Sequence, residues 1–399
     1  MNKVTINQPQ FALRFQCIGS ACLDHCCKEW KITFDRTTVN RYLKSPQIEI
    51  KTIAASAMEI TKTNPHNWAT MTLNANSSCA FMDDSALCMV QKKLGVEALG
   101  NTCATYPRSK SLFKDEENNS LVLSCPEATR LLLTAPDAML LHTEVRRNLL
   151  LNDRQPVNPL KKLINVMAMN LVKVSGNEVE QGLYALTMLM LVAQKQTDVH
   201  ASGSLESAFF NLLNGLESGQ VRQQLEKIAP DYQLQWSLLL RLQVYLDNCA
   251  ATRALGRLRF YVKRLLHIQT NAISSNQVDG SIERLNAAWN NRVKPWLAER
   301  PHLMSNYLQY RIFTDNFPGY QAEISLKPLY LLTAEWYLIK SLMAATAELY
   351  GEMSEEDVIA IIYSFHSVTK HNAHFVAAFE GEIDKVKVND DLSLLYLLK

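Results

Sequence analysis

Eight of the chain's nine cysteines fall in its first 125 residues, as Cys17, Cys22, Cys26 and Cys27, then Cys79, Cys88, Cys103 and Cys125. The remainder of the 399 residues holds only Cys249. The first set reads C-x4-C-x3-C-C and the second C-x8-C-x14-C-x21-C. A structural thiol packs as a small hydrophobe and has no reason to adjoin another, as Cys26 and Cys27 do. Several thiolates converging on one point are what a zinc ion or an iron–sulfur cluster requires. All eight are therefore candidate metal ligands, enough for two four-ligand sites or for one site with spectators. No C-x2-C knuckle of the zinc type occurs. An iron–sulfur cluster, 4Fe–4S foremost, is the first expectation and zinc the alternative.

Charge is nearly balanced, 41 Lys and Arg against 39 Asp and Glu, a net of +2. That argues against a nucleic-acid binder that relies on bulk positive charge. The opening Met1–Phe15 has no long apolar core and does not read as a secretory signal. The most apolar stretch, Leu183 to Ala193, is too short to span a bilayer. The expectation is a cytoplasmic chain without membrane insertion. Disulfides are rare in that reducing compartment, which again favours metal ligation. There is no G-x-G dinucleotide fingerprint, no P-loop, no G-x-S-x-G and no H-E-x-x-H.

The elements that must hold these thiols divide at about residue 130. The predicted fold class is mainly α: an irregular, cysteine-rich metal-binding module over 1–130, followed by an α-helical bundle domain over 131–399. In the module, Cys22 and Cys26 are four apart and would share one helix face, with Cys27 turned about 100° away. Leu87–Leu99 reads as a helix with Cys88 at its start and Gly100 at its end, and Cys125 precedes a helix opening at Pro126. Beyond it, apolar residues recur at three- and four-residue spacing over Glu127–Leu151, Leu160–Val172, Glu178–Gln196, Gln233–Asn248, Thr252–Gln269, Ser281–Val293, Leu326–Tyr350 and Glu355–Ser367. Pro136 would kink or split the first of these. No alternating strand pattern is evident after residue 130. Arg253, Arg257, Arg264 and His267 form a basic row, read as a solvated helix face or a docking surface for an acidic partner. His366, His371 and His374 have loose spacing and read as packing or surface histidines.

The run Phe15–Ile32 (FQCIGSACLDHCCKEWKI) resembles the opening signature of the bacterial flagellin lysine N-methylase family. So do Cys79–Asp83 (CAFMD) with Leu87–Gln91, Leu94-Gly95, Leu99-Gly100, Cys103–Arg108 (CATYPR) and Ser124–Glu127. The segment from Asn306-Tyr307 to Phe317-Pro318 is similar to a C-terminal block of that family. The first part also resembles a wider group of zinc- or iron-chelating proteins with clustered cysteines. The resemblance implies methyl transfer from S-adenosylmethionine to ε-amino groups of flagellin lysines, with the metal as a structural or cofactor-anchoring centre. The radical S-adenosylmethionine motif is C-x3-C-x2-C. Cys22 and Cys26 fit its first half, but Glu29 stands in the third position, so a polar displacement is expected. Within the matched motifs, Tyr106, Asp24 and Asp83 are the candidate catalytic groups, and Arg108 is the candidate clamp for the methionyl carboxylate. The bland alternatives are a turn holding Cys103 and two helix caps. Rival functions are a metal-binding or delivery protein and a noncatalytic flagellar adaptor stapled by metal.

Overall fold

A computed structural model describes residues 2–148, 153–196, 203–249, 252–274, 278–370, 373–386 and 391–399. Among these the chain is mainly helical, and both of its sheets are built from the first 148 residues. The strands are β1 (Asn2–Pro9), β2 (Thr33–Phe34), β3 (Met58–Ile60), β4 (Ala69–Met71), β5 (Arg108–Leu112), β6 (Glu116–Leu121) and β7 (Leu141–Asn148). One sheet has the order β5-β6-β1-β7 and the other β2-β4-β3. The cysteine-rich part is thus less irregular than its loop-rich composition implies.

β1 is central because Val4 and Ile6 bury on one face while both of its edges are paired. It runs parallel to β6, with Thr5 opposite Glu116, and antiparallel to β7, with Asn2 opposite Asn148. Asn7 is buried between them. It donates to Asn118 Oδ1 at 2.9 Å and accepts from Thr143 Oγ1 at 2.9 Å, so the three strands share a satisfied polar rung.

β7 overturns the helix expected over Glu127–Leu151 and the expectation of no strand after residue 130. The helix is Pro126–Thr134, and Ala135, before Pro136, is extended at φ −94° and ψ 120°. A residue preceding proline is pushed out of the helical region, and eight residues pairing with β1 then outweigh local helical spacing.

The smaller core, with Phe34, Tyr42, Ile50, Met71, Phe81 and Val90, sits on β2-β4-β3. Gly100 does not end a helix; it precedes the helix Asn101–Thr105, where a Cβ would lie 2.7 Å from the Phe34 ring. The larger core draws on both sides of residue 130, from Phe11, Leu123 and Leu132 to Leu398. At its centre is the helix Lys327–Tyr350, buried from Leu332 to Ala347. Helices Pro159–Ser175, Val179–Ala193, Tyr232–Asn248, Leu255–Ser274 and Glu355–Thr369 match the spacing-based expectation closely. Helices Gly203–Glu217, Gln220–Glu226, Leu303–Thr314 and Ala373–Asp384 were not expected. Leu303–Thr314 is buried from Leu303 to Phe313, and a helix without a solvated face has no periodicity to read. Among the described residues no helix is long and apolar enough to cross a membrane.

Asn306, on that buried helix, donates to the carbonyls of Leu132 (3.0 Å) and Ala135 (2.8 Å), where Pro126–Thr134 ends. These carbonyls have no partner within their own helix. Asn306→Leu keeps the volume but strands the Leu132 carbonyl, while that of Ala135 keeps the Ala138 N–H at 3.0 Å, and should lower unfolding stability by about 1–3 kcal/mol in urea titration. An unchanged midpoint would show that this junction carries no energy.

Candidate active site

The first cysteine cluster is not helical. Cys22 leaves the short turn Gly19–Ala21 in extended conformation, and Cys26 and Cys27 occupy a turn, so the shared helix face expected for Cys22 and Cys26 does not form. Backbone bridges carry the second cluster to the first. Cys79 N–H donates to the Cys27 carbonyl at 2.7 Å, and isolated bridges join Lys28 to Ser78 and Met82 to Cys88. Cys88 heads the helix Met89–Leu94, Cys103 lies in Asn101–Thr105, and Cys125 heads Pro126–Thr134.

The eight thiols form two electrostatic groups. Every pair among Cys26, Cys79, Cys88 and Cys103 interacts, and Cys27 adjoins them through Cys26. Cys22 interacts with Cys17 and with Cys125. Burial pushes the Cys79 thiol up to about 11 and those of Cys103 and Cys125 to about 12. Cys26 moves the other way, to about 7, because the Cys27 S–H donates to it. Soft thiolates suit zinc or an iron–sulfur cluster. Among the described residues, however, no group of three or more Cys, His, Asp or Glu is closed tightly enough to hold a metal ion. The donor chemistry fits; the side chains as placed do not form a ligand shell.

A guanidinium from the helical part enters this module. Arg253, 2% exposed, donates through Nε to Asp24 Oδ2 at 3.0 Å and through Nη1 to the Tyr106 hydroxyl at 2.7 Å. The adjacent Ala254 N–H donates to Glu29 Oε2 at 3.2 Å, and both residues adopt positive φ, 63° and 60°. Left-handed backbone is costly for such residues and persists only where surroundings impose it. Tyr106 also hydrogen-bonds Ser124 Oγ at 3.2 Å and meets the Trp30 ring edge-on at 5.5 Å. Burial holds its hydroxyl above the usual tyrosine range despite the cation.

Two of the candidate catalytic groups, Tyr106 and Asp24, are therefore brought together on Arg253. Asp83 lies apart, in a loop where it accepts from Ser85 N–H (3.0 Å), Leu87 N–H (3.0 Å) and Lys92 Nζ (2.6 Å). Those bonds, Lys92 first, hold its carboxyl well below the usual range. Arg108 is exposed on β5 with its guanidinium over the Phe15 ring at 5.7 Å. The basic row divides: Arg257 and His267 are exposed, as a solvated face would be, whereas Arg253 is buried and Arg264 stacks between Phe260, Tyr261 and Tyr350.

Behind Ser124 opens a cavity of about 560 Å3 between β5, β6 and the C-terminal helices. Its charged floor escaped the sequence reading. Arg311 comes from Leu303–Thr314, Glu335 from Lys327–Tyr350, His366 from Glu355–Thr369, and Lys370 caps that last helix. Arg311 pairs with Glu335 and with Asp315 Oδ2 at 2.5 Å. Lys370 Nζ lies 2.8 Å from Glu335 Oε2, and the Tyr307 hydroxyl donates to Glu335 Oε1 at 2.6 Å. Tyr307 spends its proton on that carboxylate, so the 3.2 Å contact with His366 Nε2 needs the imidazole N–H to donate. Burial holds His366 well below its usual pKa, hence neutral, and lowers Lys370 to about 7, with Arg311 adding to the shift. The signal available in sequence was Glu335, set with Lys340 inside the otherwise largely apolar run of its helix. Of the other histidines, His371 lies outside the described residues and His374 lines a separate groove.

The profile of the FliB lysine N-methylase C-terminal domain matches residues 165–397. Lysine-N-methylases of Salmonella typhimurium and Salmonella choleraesuis are 37% and 36% identical over the full length of both chains. The chain belongs to the FliB lysine N-methylase family. A flagellar biosynthetic protein FliU of Salmonella muenchen is 46% identical over 142 residues, 35% of this chain and 84% of its own. No solved structure matches.

In this FliB-family chain the Arg253–Asp24 pair should be energetically coupled. Arg253→Met leaves Asp24 without its cation and should destabilise by about 2–3 kcal/mol, at the low end for buried pairs because Asp24 keeps some solvent contact. A double-mutant cycle with Asp24→Asn should return a coupling above about 1 kcal/mol. Additive single effects would remove the pair from the account.

Proposed function

We propose that the chain is a protein-lysine N-methyltransferase that transfers the methyl group of S-adenosylmethionine to ε-amino groups of flagellin lysines. Family membership and the flagellar name of FliU support it. The observation that carries it is the cavity that sets an amine, a carboxylate and a neutral imidazole together behind Tyr106 and Ser124. In the transfer, the lysine nitrogen forms a bond to the methyl carbon as the carbon–sulfur bond breaks, leaving the neutral thioether S-adenosylhomocysteine. A lysine ammonium has no lone pair, so it must lose a proton first. Burial next to Arg311 lowers an incoming amine's pKa as it lowers that of Lys370. Lys370 at about 7 is neutral above that pH and accepts the proton, and the resulting ammonium is held by Glu335, 2.8 Å away.

The thiol quartet Cys26, Cys79, Cys88 and Cys103 is the proposed source of metal ligands, with Cys27 hydrogen-bonded to Cys26 and with Cys17, Cys22 and Cys125 as a second set. An iron–sulfur cluster there would staple the module or anchor the methyl donor; zinc would staple it alone. Protein purified anaerobically should be brown with broad visible absorption. Colourless protein with stoichiometric zinc would replace the iron–sulfur assignment.

The activity itself is tested by incubating the chain with flagellin and S-adenosylmethionine and measuring intact flagellin mass in steps of one methyl group. The rate should rise with pH through about 7, because below it Lys370 is protonated and cannot accept. Lys370→Met should slow methylation by about a hundredfold and abolish that pH step. Flagellin unmodified by wild type would sink the activity, whereas a wild-type profile in the variant would remove only Lys370 from it.

A further inference from the structure

Beside the charged cavity lies a second chamber of about 410 Å3, between β6, residues 155–158, the helix Pro159–Ser175 and the loop 316–322. The two share a wall that includes Asn118, Phe313, Phe317 and Tyr320. Their character differs. The cavity holds Arg311, Glu335, Asp315 and Lys370, whereas the chamber adds the rings of Phe113, Phe313, Phe317 and Tyr320 to Pro156 and Val157, with Glu116, Lys161 and Lys162 as its charges. At its edge the Phe113 and Tyr320 rings lie within 28° of parallel, with centroids 6.2 Å apart. Tyr320 is 71% exposed, yet it is not loose: its hydroxyl accepts from Asn316 Nδ2 at 2.5 Å. Lys161 Nζ fastens the same loop through the Gly319 carbonyl at 2.9 Å. Asn165 spends both amide hydrogens on the carbonyls of Ile312 and Phe317, at 2.9 Å each, which leaves its amide oxygen as an acceptor in the wall. Glu116 gives one carboxylate oxygen to Lys162 at 2.6 Å and retains the other.

We propose that this chamber binds the adenosyl half of S-adenosylmethionine, with the sulfonium passing the shared wall into the charged cavity. The assignment rests on the methyltransferase reading above and gives it a location. A purine offers a flat π-face to Phe113 and Tyr320, and its 6-amino group is a donor for the Asn165 oxygen. Ribose hydroxyls are donors for Glu116. The sulfonium is a cation, and of the carboxylates on the far side of the wall Glu380, which is not ion-paired to Arg311 or Lys370, is the one placed to attract it. Ligands of this size occupy sites of roughly 300–1,000 Å3, which the two chambers meet together while dividing the molecule by polarity.

Binding is measured by calorimetry on the full chain with S-adenosylhomocysteine, which needs no turnover and no flagellin. Tyr320→Ala and Phe113→Ala should each raise Kd about 5- to 100-fold, the range for losing one base-stacking ring. Tyr320→Phe, which keeps the ring, should bind like wild type, and adenosine alone should compete. Unchanged melting temperatures exclude a folding effect, and the exposure of Tyr320 makes that control decisive. Wild-type affinity in both alanine variants, or no competition by adenosine, overturns the chamber assignment while leaving the methyltransferase standing. A wild-type chain that binds no S-adenosylhomocysteine overturns the methyl-donor reading and this inference with it.

Discussion

Arg253 cannot shed its charge, and at 2% exposure it cannot rely on water to carry it. The fold must therefore bring it acceptors, and each one it finds lies in the cysteine-rich part: the Asp24 carboxylate, the Asp24 carbonyl at 3.4 Å, and the Tyr106 hydroxyl. That requirement docks the start of Leu255–Ser274 on the thiol module. It also accounts for the two left-handed residues that meet there, Ala254 and Glu29, since the turn has to present both a guanidinium and an N–H to the same partner segment. The cation acts on the thiols as well. Arg253 lowers the pKa of Cys22, Cys26 and Cys125, opposing the burial that raises Cys22 and Cys125. A site intended to hold thiolates gains from a fixed positive charge placed before any metal arrives.

The second buried charge system obeys the same rule by a different route. Glu335, 1% exposed, is surrounded by Arg311, Lys370 and the Tyr307 hydroxyl, and Arg311 reaches further to Asp315. The two systems meet at Ser124. Ser124 hydrogen-bonds Tyr106 on the thiol side and lines the cavity on the other, while its carbonyl accepts from Ser367 Oγ, one residue after His366. Cys125 follows it directly. Movement of the thiol module is therefore movement of a cavity wall, with no intervening flexible linker.

What the sequence made legible follows from how local each signal is. The cysteines announced themselves by type and crowding, and amphipathic helices such as Pro159–Ser175 and Tyr232–Asn248 by spacing, because both are properties of a short stretch. The partition into two thiol groups was not legible, since it depends on Cys79 N–H finding the Cys27 carbonyl 52 positions earlier. Arg253 looked like part of a basic face because Asp24 is 229 positions away in the chain. β7 was read as helix because its strand identity comes from β1 across the whole module. Leu303–Thr314, which bears Asn306, Tyr307, Tyr310 and Arg311, lost its helical signature for a physical reason. A helix packed on every side trades periodicity for specific polar contacts.

On the proposed methyl-transfer reading, a displacement that needs no metal can still be housed beside the thiol groups. The first 148 residues offer a small core on short strands and a sheet that leans on the helices, little apolar area with which to order the loops around the cysteines. Ligand binding supplies folding free energy where a hydrophobic core is thin. Thiolates gathered by a metal would fix Cys103, two residues ahead of Thr105 and three ahead of Tyr106, and so fix the ring that receives Arg253 and Ser124. Order would then pass from the metal to Tyr106, from Tyr106 to Ser124, and from Ser124 to the cavity wall, by rigid contacts alone. On the proposed reading, a metal held by the thiols would act on the chemistry by holding its container in shape, and the reacting groups could all belong to the helical part.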